Sequence, residues 1–268
     1  MTPIPGLCSV TVRHLGIEEV AKLAAEAGLT AIEWGGDVHV PPGDVGGAKR
    51  ARVAGAAAGL VCASYGSYLL ADGDGSPAVI ANVLDTAVAL GAPNVRVWTP
   101  FGVEPGSPRT GEVVDALARV SAAAKDRDLT VGIEFHGGTL TATAESAGSL
   151  LDAVGAPNLS TYWQPPYWLA DRPPADDAAE VVGLASRLSH VHVYEWAGAE
   201  DRRPLADGKR RWRAVFEALA DVDTNTATDG PDRRPAPRCA FLEFVAGDDP
   251  RALLRDAQTL HELVGEQA

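Results

Sequence analysis

Four short apolar runs, each ending on a side chain that can bind a metal ion, constrain this chain more than any other feature. They are Leu129–Glu134, Leu159–Gln164, Leu188–His192 and Ala240–Glu243. Each is followed by a loop and then a stretch with helical spacing of apolar residues. One polar residue at the end of a strand says little. Four on consecutive β-α units converge when the strands lie parallel and end at one rim. That is the arrangement of a (β/α)8 TIM barrel, whose active site gathers where the strands end.

The same rhythm runs through the whole chain. Strands are expected over Leu7–Val12, Leu29–Trp34, Leu60–Ser64, Asn94–Trp98, Leu129–Glu134, Leu159–Gln164, Leu188–Tyr194 and Cys239–Val245. Helices are expected over Gly16–Ala27, Val45–Gly59, Pro77–Gly91, Thr110–Asp128, Thr143–Val154, Asp176–Arg187, Gly208–Leu219 and Asp249–Leu263. Glu26–Leu29, Ala57–Leu60 and Ala89–Pro93 each place a glycine between helix and strand, where a tight turn needs the left-handed conformation. The 268 residues suit one α/β barrel domain spanning 1–268. Asp221–Arg238 breaks the rhythm. Rich in Asp, Thr, Pro and Arg, it reads as a flexible surface insertion before the last strand.

The formal charge of −13 repels phosphate backbones and argues against nucleic acid as a partner. No apolar run is long enough to span a membrane, and the N-terminus lacks the basic and apolar regions of a signal peptide. The three cysteines form no close pair, as expected of free thiols in a reducing cytoplasm. No G-x-G-x-x-G follows a strand, so a nicotinamide cofactor has no support.

The strand ends carry the chemistry. Glu134 and Glu243 offer hard oxygen donors to a divalent ion and carboxylates able to move a proton at carbon. The bland alternative is that each pairs with an arginine at the rim. His190 and His192 share one side of their strand, with Val191 and Val193 on the other. His192 lies nearer the strand end and is the better ligand; His190 is expected to be a hydrogen-bonded core residue. His136 suits either a substrate contact or a cap on the Gly137-Gly138 turn. Trp34, Tyr68, Trp98 and Trp168 offer apolar faces to a sugar ring near strand ends. Arg96 shares a side with Trp98 and, if buried, requires a carboxylate or phosphate. Asp207-Gly208-Lys209 opens a helix and weakly suggests a phosphate cradle.

Five motifs resemble one family. Ile32-Glu33-Trp34, Gly132-Ile133-Glu134, His190-Val191-His192, Arg203–Gly208 with Trp212, and Phe241-Leu242-Glu243 are similar to the xylose-isomerase-like barrel superfamily of sugar and sugar phosphate isomerases and epimerases. The resemblance covers essentially the whole chain. It implies one divalent metal ion (Mn, Mg, Co or Zn) on Glu134, Gln164, His192 and Glu243, and a substrate contact from Arg202 or Arg203. Where the family usually has Asp, this chain has Gln164, whose amide oxygen can bind a cation but brings no charge.

The resemblance implies a metal-dependent isomerase or epimerase of a sugar, ketose or polyol-derived carbonyl compound. Glu134 or Glu243 abstracts a proton to form an enediolate and the other returns it. Elimination from the same intermediate gives a lyase or dehydratase, and loss of the metal gives a non-catalytic carbohydrate-binding barrel. A DNA-repair endonuclease of the related type is disfavoured by the charge. The expected partner is a small carbohydrate, and a homodimer is consistent with the resemblance.

Overall fold

A computed structural model describes residues 2–72, 75–169, 172–198, 201–226 and 237–265. Eight parallel strands close into a barrel. They are β1 (Ile4–Cys8), β2 (Ala31–Gly35), β3 (Val61–Leu70), β4 (Asn94–Trp98), β5 (Thr130–Ile133), β6 (Leu159–Trp163), β7 (Leu188–Val193) and β10 (Cys239–Leu242). Neighbours follow chain order, and β10 closes the ring against β1. A two-stranded antiparallel hairpin, β8 (Glu195–Trp196) with β9 (Arg202–Arg203), rises beyond β7.

Eight helices cover the outside: α1 (Ile17–Glu26), α2 (Val45–Ala57), α3 (Pro77–Leu90), α4 (Thr110–Lys125), α5 (Ala144–Val154), α6 (Pro174–Leu184), α7 (Lys209–Thr226) and α8 (Pro250–Gly265). Strand alternation sorts side chains into two cores. Ile32, Trp34, Val95, Val97, Val131, Ile133, Val191 and Val193 pack outward against the helices. Cys8, Ala31, Cys239 and Phe241 pack in a separate inner cluster. None of the helices among the described residues is long and apolar enough to cross a membrane.

The barrel interior is unusually polar for this architecture, which is more often filled by branched aliphatic side chains. Tyr162 on β6 hydrogen-bonds with Ser64 at 2.6 Å, accepts from Asn94 Nδ2 at 3.0 Å and donates to Glu33 at 2.7 Å. Its ring occupies the space that a side chain at Gly132 would take. His190 lies in the same layer, where the Cys239 N–H donates to its Nδ1 at 3.1 Å. It is the hydrogen-bonded core residue anticipated above.

The structure differs from the sequence reading at several joins. The first strand ends at Cys8, and Ser9–Val12 turns into a 3-10 helix. Side-chain bonds draw the chain aside there: the Gly35 N–H donates to Ser9 Oγ at 2.8 Å, and Thr11 Oγ1 donates to the Leu242 carbonyl at 3.2 Å. β3 runs on to Leu70. Both ends of the segment expected as a surface insertion over 221–238 are structured. Helix α7 continues to Thr226, and Asp223 forms a buried ion pair with Arg238 at 2.5 Å. Residues 227–236 of that segment lie outside the described residues.

Burial pushes the His190 pKa down to about 4, whereas an unfolded histidine titrates near ~6.5. Between those values the unfolded chain binds a proton that the folded chain does not. The stability from this group is therefore complete above the unfolded value and falls away as pH drops toward the folded one. Replacing His190 with Asn should flatten the loss of stability on going from pH ~7 to pH ~4 by up to about 3 kcal/mol. Urea denaturation of both proteins at the two pH values measures it, and equal slopes would contradict it.

Candidate active site

A buried chain of charge crosses the barrel just below its C-terminal rim. Glu33 on β2 and Arg96 on β4 are 0% and 1% exposed, and Arg96 Nε donates to Glu33 Oε1 at 2.9 Å. Arg96 Nη1 donates to Glu134 Oε2 at 2.6 Å, just past the end of β5. Gly66 makes room for this pair. A Cβ there would lie 2.8 Å from both Arg96 Nη2 and Glu33 Oε1. Burial alone would raise the pKa of Glu33, but Arg96 first, then the nearby His192 ring and the hydrogen bond from Tyr162, hold it well below the usual carboxylate range. For Glu134, burial is likewise outweighed by Arg96 and His192, and its pKa is lowered.

His192, wholly buried at the end of β7, lies among three carboxylates. Its Nε2 is 3.4 Å from Glu33 Oε1, and its Nδ1 is 3.4 Å from Glu243 Oε2 and 3.6 Å from Glu134 Oε1. Neither ring nitrogen makes a hydrogen bond of good geometry. Burial lowers the His192 pKa, but Glu243 and Glu134 outweigh it and raise the value to about 10. Glu243 follows β10, and burial, reinforced by Glu134, raises its pKa. The next residue, Phe244, adopts left-handed backbone at φ 51°. Its N–H donates to Thr11 Oγ1 at 3.1 Å, which offsets part of that strain.

Arg96, Glu134, Glu243 and Phe244 border a cavity of about 190 Å³. Arg96, Glu134, Gln164 and Glu243 lie on its inner wall, with Tyr68, Trp98 and His136 around one side. Tyr167, Tyr194, Trp196, Phe244 and Arg13 complete the wall. Tyr68 and Trp98 stack nearly parallel, at 10°, with centroids 6.4 Å apart. Gln164 Nε2 donates to the Phe135 carbonyl at 2.7 Å, which leaves the amide oxygen as the end available to a cation.

The donor set suits a divalent ion. A buried imidazole nitrogen without a hydrogen bond lies beside two carboxylate oxygens, near the spacing of donors that share one ion. The metal bonds themselves would be roughly 2.0–2.2 Å. Cys8 Sγ is also within ligand reach of His192 and Glu243. Its thiol donates to Glu33 Oε1 at 3.3 Å, and burial, then Glu33, raise its pKa well above the ordinary value.

The sequence matches the family model described as xylose isomerase-like TIM barrel over residues 21–228. The chain belongs to this family. The superfamily is enzymatic, and so is this member. Among solved structures it is similar to the probable 3-DHS dehydratase AsbF from Bacillus anthracis, at 19% identity over 96% of this chain and 98% of that one, with a TM-score of 0.73. It is similar to D-allulose 3-epimerase from Methylomonas sp., at 17% identity over 100% and 99% of the two chains, with a TM-score of 0.71. A xylose isomerase-like TIM barrel protein from Mycobacterium smegmatis in complex with magnesium matches at 11% identity over 100% and 98%, with a TM-score of 0.68. At these identities the likeness is one of fold. No curated protein matches the sequence.

Of the four expected ligands, Glu134, Gln164 and Glu243 line the cavity, and the wholly buried His192 lies 3.4–3.6 Å from Glu243 and Glu134. His136 lines the cavity and also holds its loop: its ring bonds the Gly137 carbonyl at 2.8 Å and the Tyr167 hydroxyl at 2.9 Å. Tyr68 and Trp98 line the cavity as expected. Trp168 stands one layer back, stacked on His136 at 5.4 Å.

Two expected substrate contacts lie elsewhere. Trp34 is 0% exposed and belongs to the outer core, because alternation on β2 turns it away from the interior that Glu33 enters. Arg203 is half exposed on β9 and paired with Asp201 at 2.8 Å. Its neighbour Arg202 packs over Phe244 at 4.6 Å and Trp196 at 5.5 Å, behind the cavity wall. The expected phosphate cradle is taken up by the Glu195 carboxylate, which packs over Gly208.

Glu33 and Arg13 were not anticipated as site residues. The signal for Glu33 was a lone carboxylate inside an apolar strand, which demands a buried partner. Arg13 follows a 3-10 helix and carries no pattern; it reaches the cavity through Asp37 at 2.5 Å and the Tyr68 hydroxyl at 3.0 Å. Replacing Arg96 with Met strands two buried carboxylates and should cost about 3–5 kcal/mol of stability, with Lys recovering part of it. Chemical denaturation at neutral pH measures this, and a cost below about 1 kcal/mol would argue against a buried pair.

Proposed function

We propose that the protein is a divalent-cation-dependent isomerase or epimerase of a small carbohydrate carbonyl compound. The observation that carries this reading is the placement of His192 Nδ1. It is buried, without a hydrogen bond, and 3.4–3.6 Å from one oxygen each of Glu243 and Glu134. Glu134, Gln164, His192 and Glu243 would hold the ion, which would polarise the substrate's oxygens as a Lewis acid.

The rest of the chemistry belongs to the protein's own side chains. Arg96 keeps Glu134 ionised, so Glu134 can accept a proton from the carbon beside a carbonyl. Glu243, whose carboxyl holds its proton more readily, can return one to the resulting enediolate. The aromatic walls of Trp98, Tyr68 and Trp196 offer apolar faces to a sugar. A cavity of about 190 Å³ suits a small molecule. This reading favours a free carbohydrate as substrate, and the formal charge of −13 argues against nucleic acid. The same proton abstraction supports elimination, so a dehydratase is the nearest variant of this function.

Two features weaken the ion's hold. Gln164 brings no charge, and Arg96 competes for Glu134. The protein purified without chelator should still carry Mn, Mg, Co or Zn, and Glu243→Gln should lower that content. Elemental analysis of both proteins tests this directly. A panel of ketoses in deuterated water then reads proton exchange at carbon. Absence of metal in the wild type, with no uptake on addition, would remove the metal-dependent reading and favour a metal-free lyase.

A further inference from the structure

Glu33 has every feature of a metal ligand except availability. Its Oε1 accepts from Arg96 Nε at 2.9 Å and from Cys8 Sγ at 3.3 Å, and its Oε2 accepts from Tyr162 at 2.7 Å. Its charge is matched by Arg96, and its orientation is fixed by donors from β1, β4 and β6. The remaining close group is His192 Nε2, 3.4 Å away. The opposite nitrogen of that ring, Nδ1, is the one beside Glu134 and Glu243.

A neutral imidazole has one N–H and one lone pair, and a metal takes the lone pair. Which nitrogen offers it depends on what the other one meets. Both nitrogens face carboxylates at 3.4 Å, but Glu33 is already held by Arg96, Cys8 and Tyr162, whereas Glu134 and Glu243 line the cavity, where an ion can reach them. We propose that Glu33 is the positioning residue of this site: it holds the His192 proton on Nε2, so that Nδ1 presents its lone pair between Glu134 and Glu243. This inference rests on the metal-binding reading above. It adds a carboxylate–imidazole–cation relay that runs from β2 through β7 and is anchored by Arg96 and Tyr162.

A purely structural Glu33 would only balance Arg96. A Gln at this position keeps the shape and an acceptor for Arg96, but its amide N–H can donate to Nε2 and drive the His192 proton onto Nδ1. Glu33→Gln is therefore expected to lower the affinity for Mn²⁺ alone by about 10–100-fold, as outer-shell substitutions do. Titration of free Mn²⁺ by electron paramagnetic resonance reads this without any substrate. Glu33→Asp keeps the charge for Arg96 but withdraws it from His192, and should also weaken binding; it serves if the Gln variant does not fold. Nitrogen-15 NMR of the zinc-loaded wild type reads the ring directly and needs no variant. A proton on Nε2 is expected.

A proton on Nδ1 in the zinc-loaded protein, or Mn²⁺ affinity in a folded Glu33 variant within about threefold of wild type, overturns the proposal. Failure of the wild type to bind either ion overturns the metal reading itself, and this inference with it. Binding by the wild type with normal affinity in the variants removes only the role of Glu33.

Discussion

The structure depends on burying Glu33, Arg96 and Glu134 together inside a closed sheet. A lone carboxylate or guanidinium at that depth would be prohibitively costly, and the ion pairs repay part of the cost because their geometry is tight and the second oxygen of Glu33 is engaged by Tyr162. The pairing links β2, β4 and β5 through side chains as well as through the barrel's hydrogen bonds. It also requires Gly66 to lack a side chain. The same interaction therefore sets the shape of the inner barrel and the charge state of the site.

A second consequence is asymmetry between the two outer carboxylates. Glu134 touches Arg96 and is held ionised, whereas Glu243 has no such partner and is shifted the other way by burial. His192 lies between them. Two groups of the same type thus acquire different proton affinities from their surroundings alone, which is the usual physical route to an acid and a base in one site. Below this layer, Tyr162 and His190 continue the polar interior, each hydrogen-bonded within the barrel.

The barrel was legible because two periodicities alternate with glycine at the joins. Asn94–Trp98 has the expected bounds, and Pro77–Leu90 stops one residue short, where Gly91 turns left-handed at φ 78°. The hairpin β8–β9 was not legible, since two residues per strand leave no pattern. Within the site, strand-end position pointed to Glu134, Gln164, His192 and Glu243. On β2 the aromatic Trp34 drew the functional reading, although the alternation that puts Ile32 and Trp34 outward necessarily puts Glu33 inside.

The order of apolar and polar residues along each strand determined the fold family and the rim at which the chemistry would gather, because strand alternation and helix spacing are local properties. Partnership was decided only by the tertiary structure. Whether Arg96 meets a carboxylate, whether Arg203 or Arg202 stands by the cavity, and which nitrogen of His192 faces Glu134 and Glu243 all depend on distances between residues far apart in the chain. Those distances are set by closure of the barrel, when β10 docks against β1 and brings Glu243 within reach of strands that precede it by more than a hundred residues.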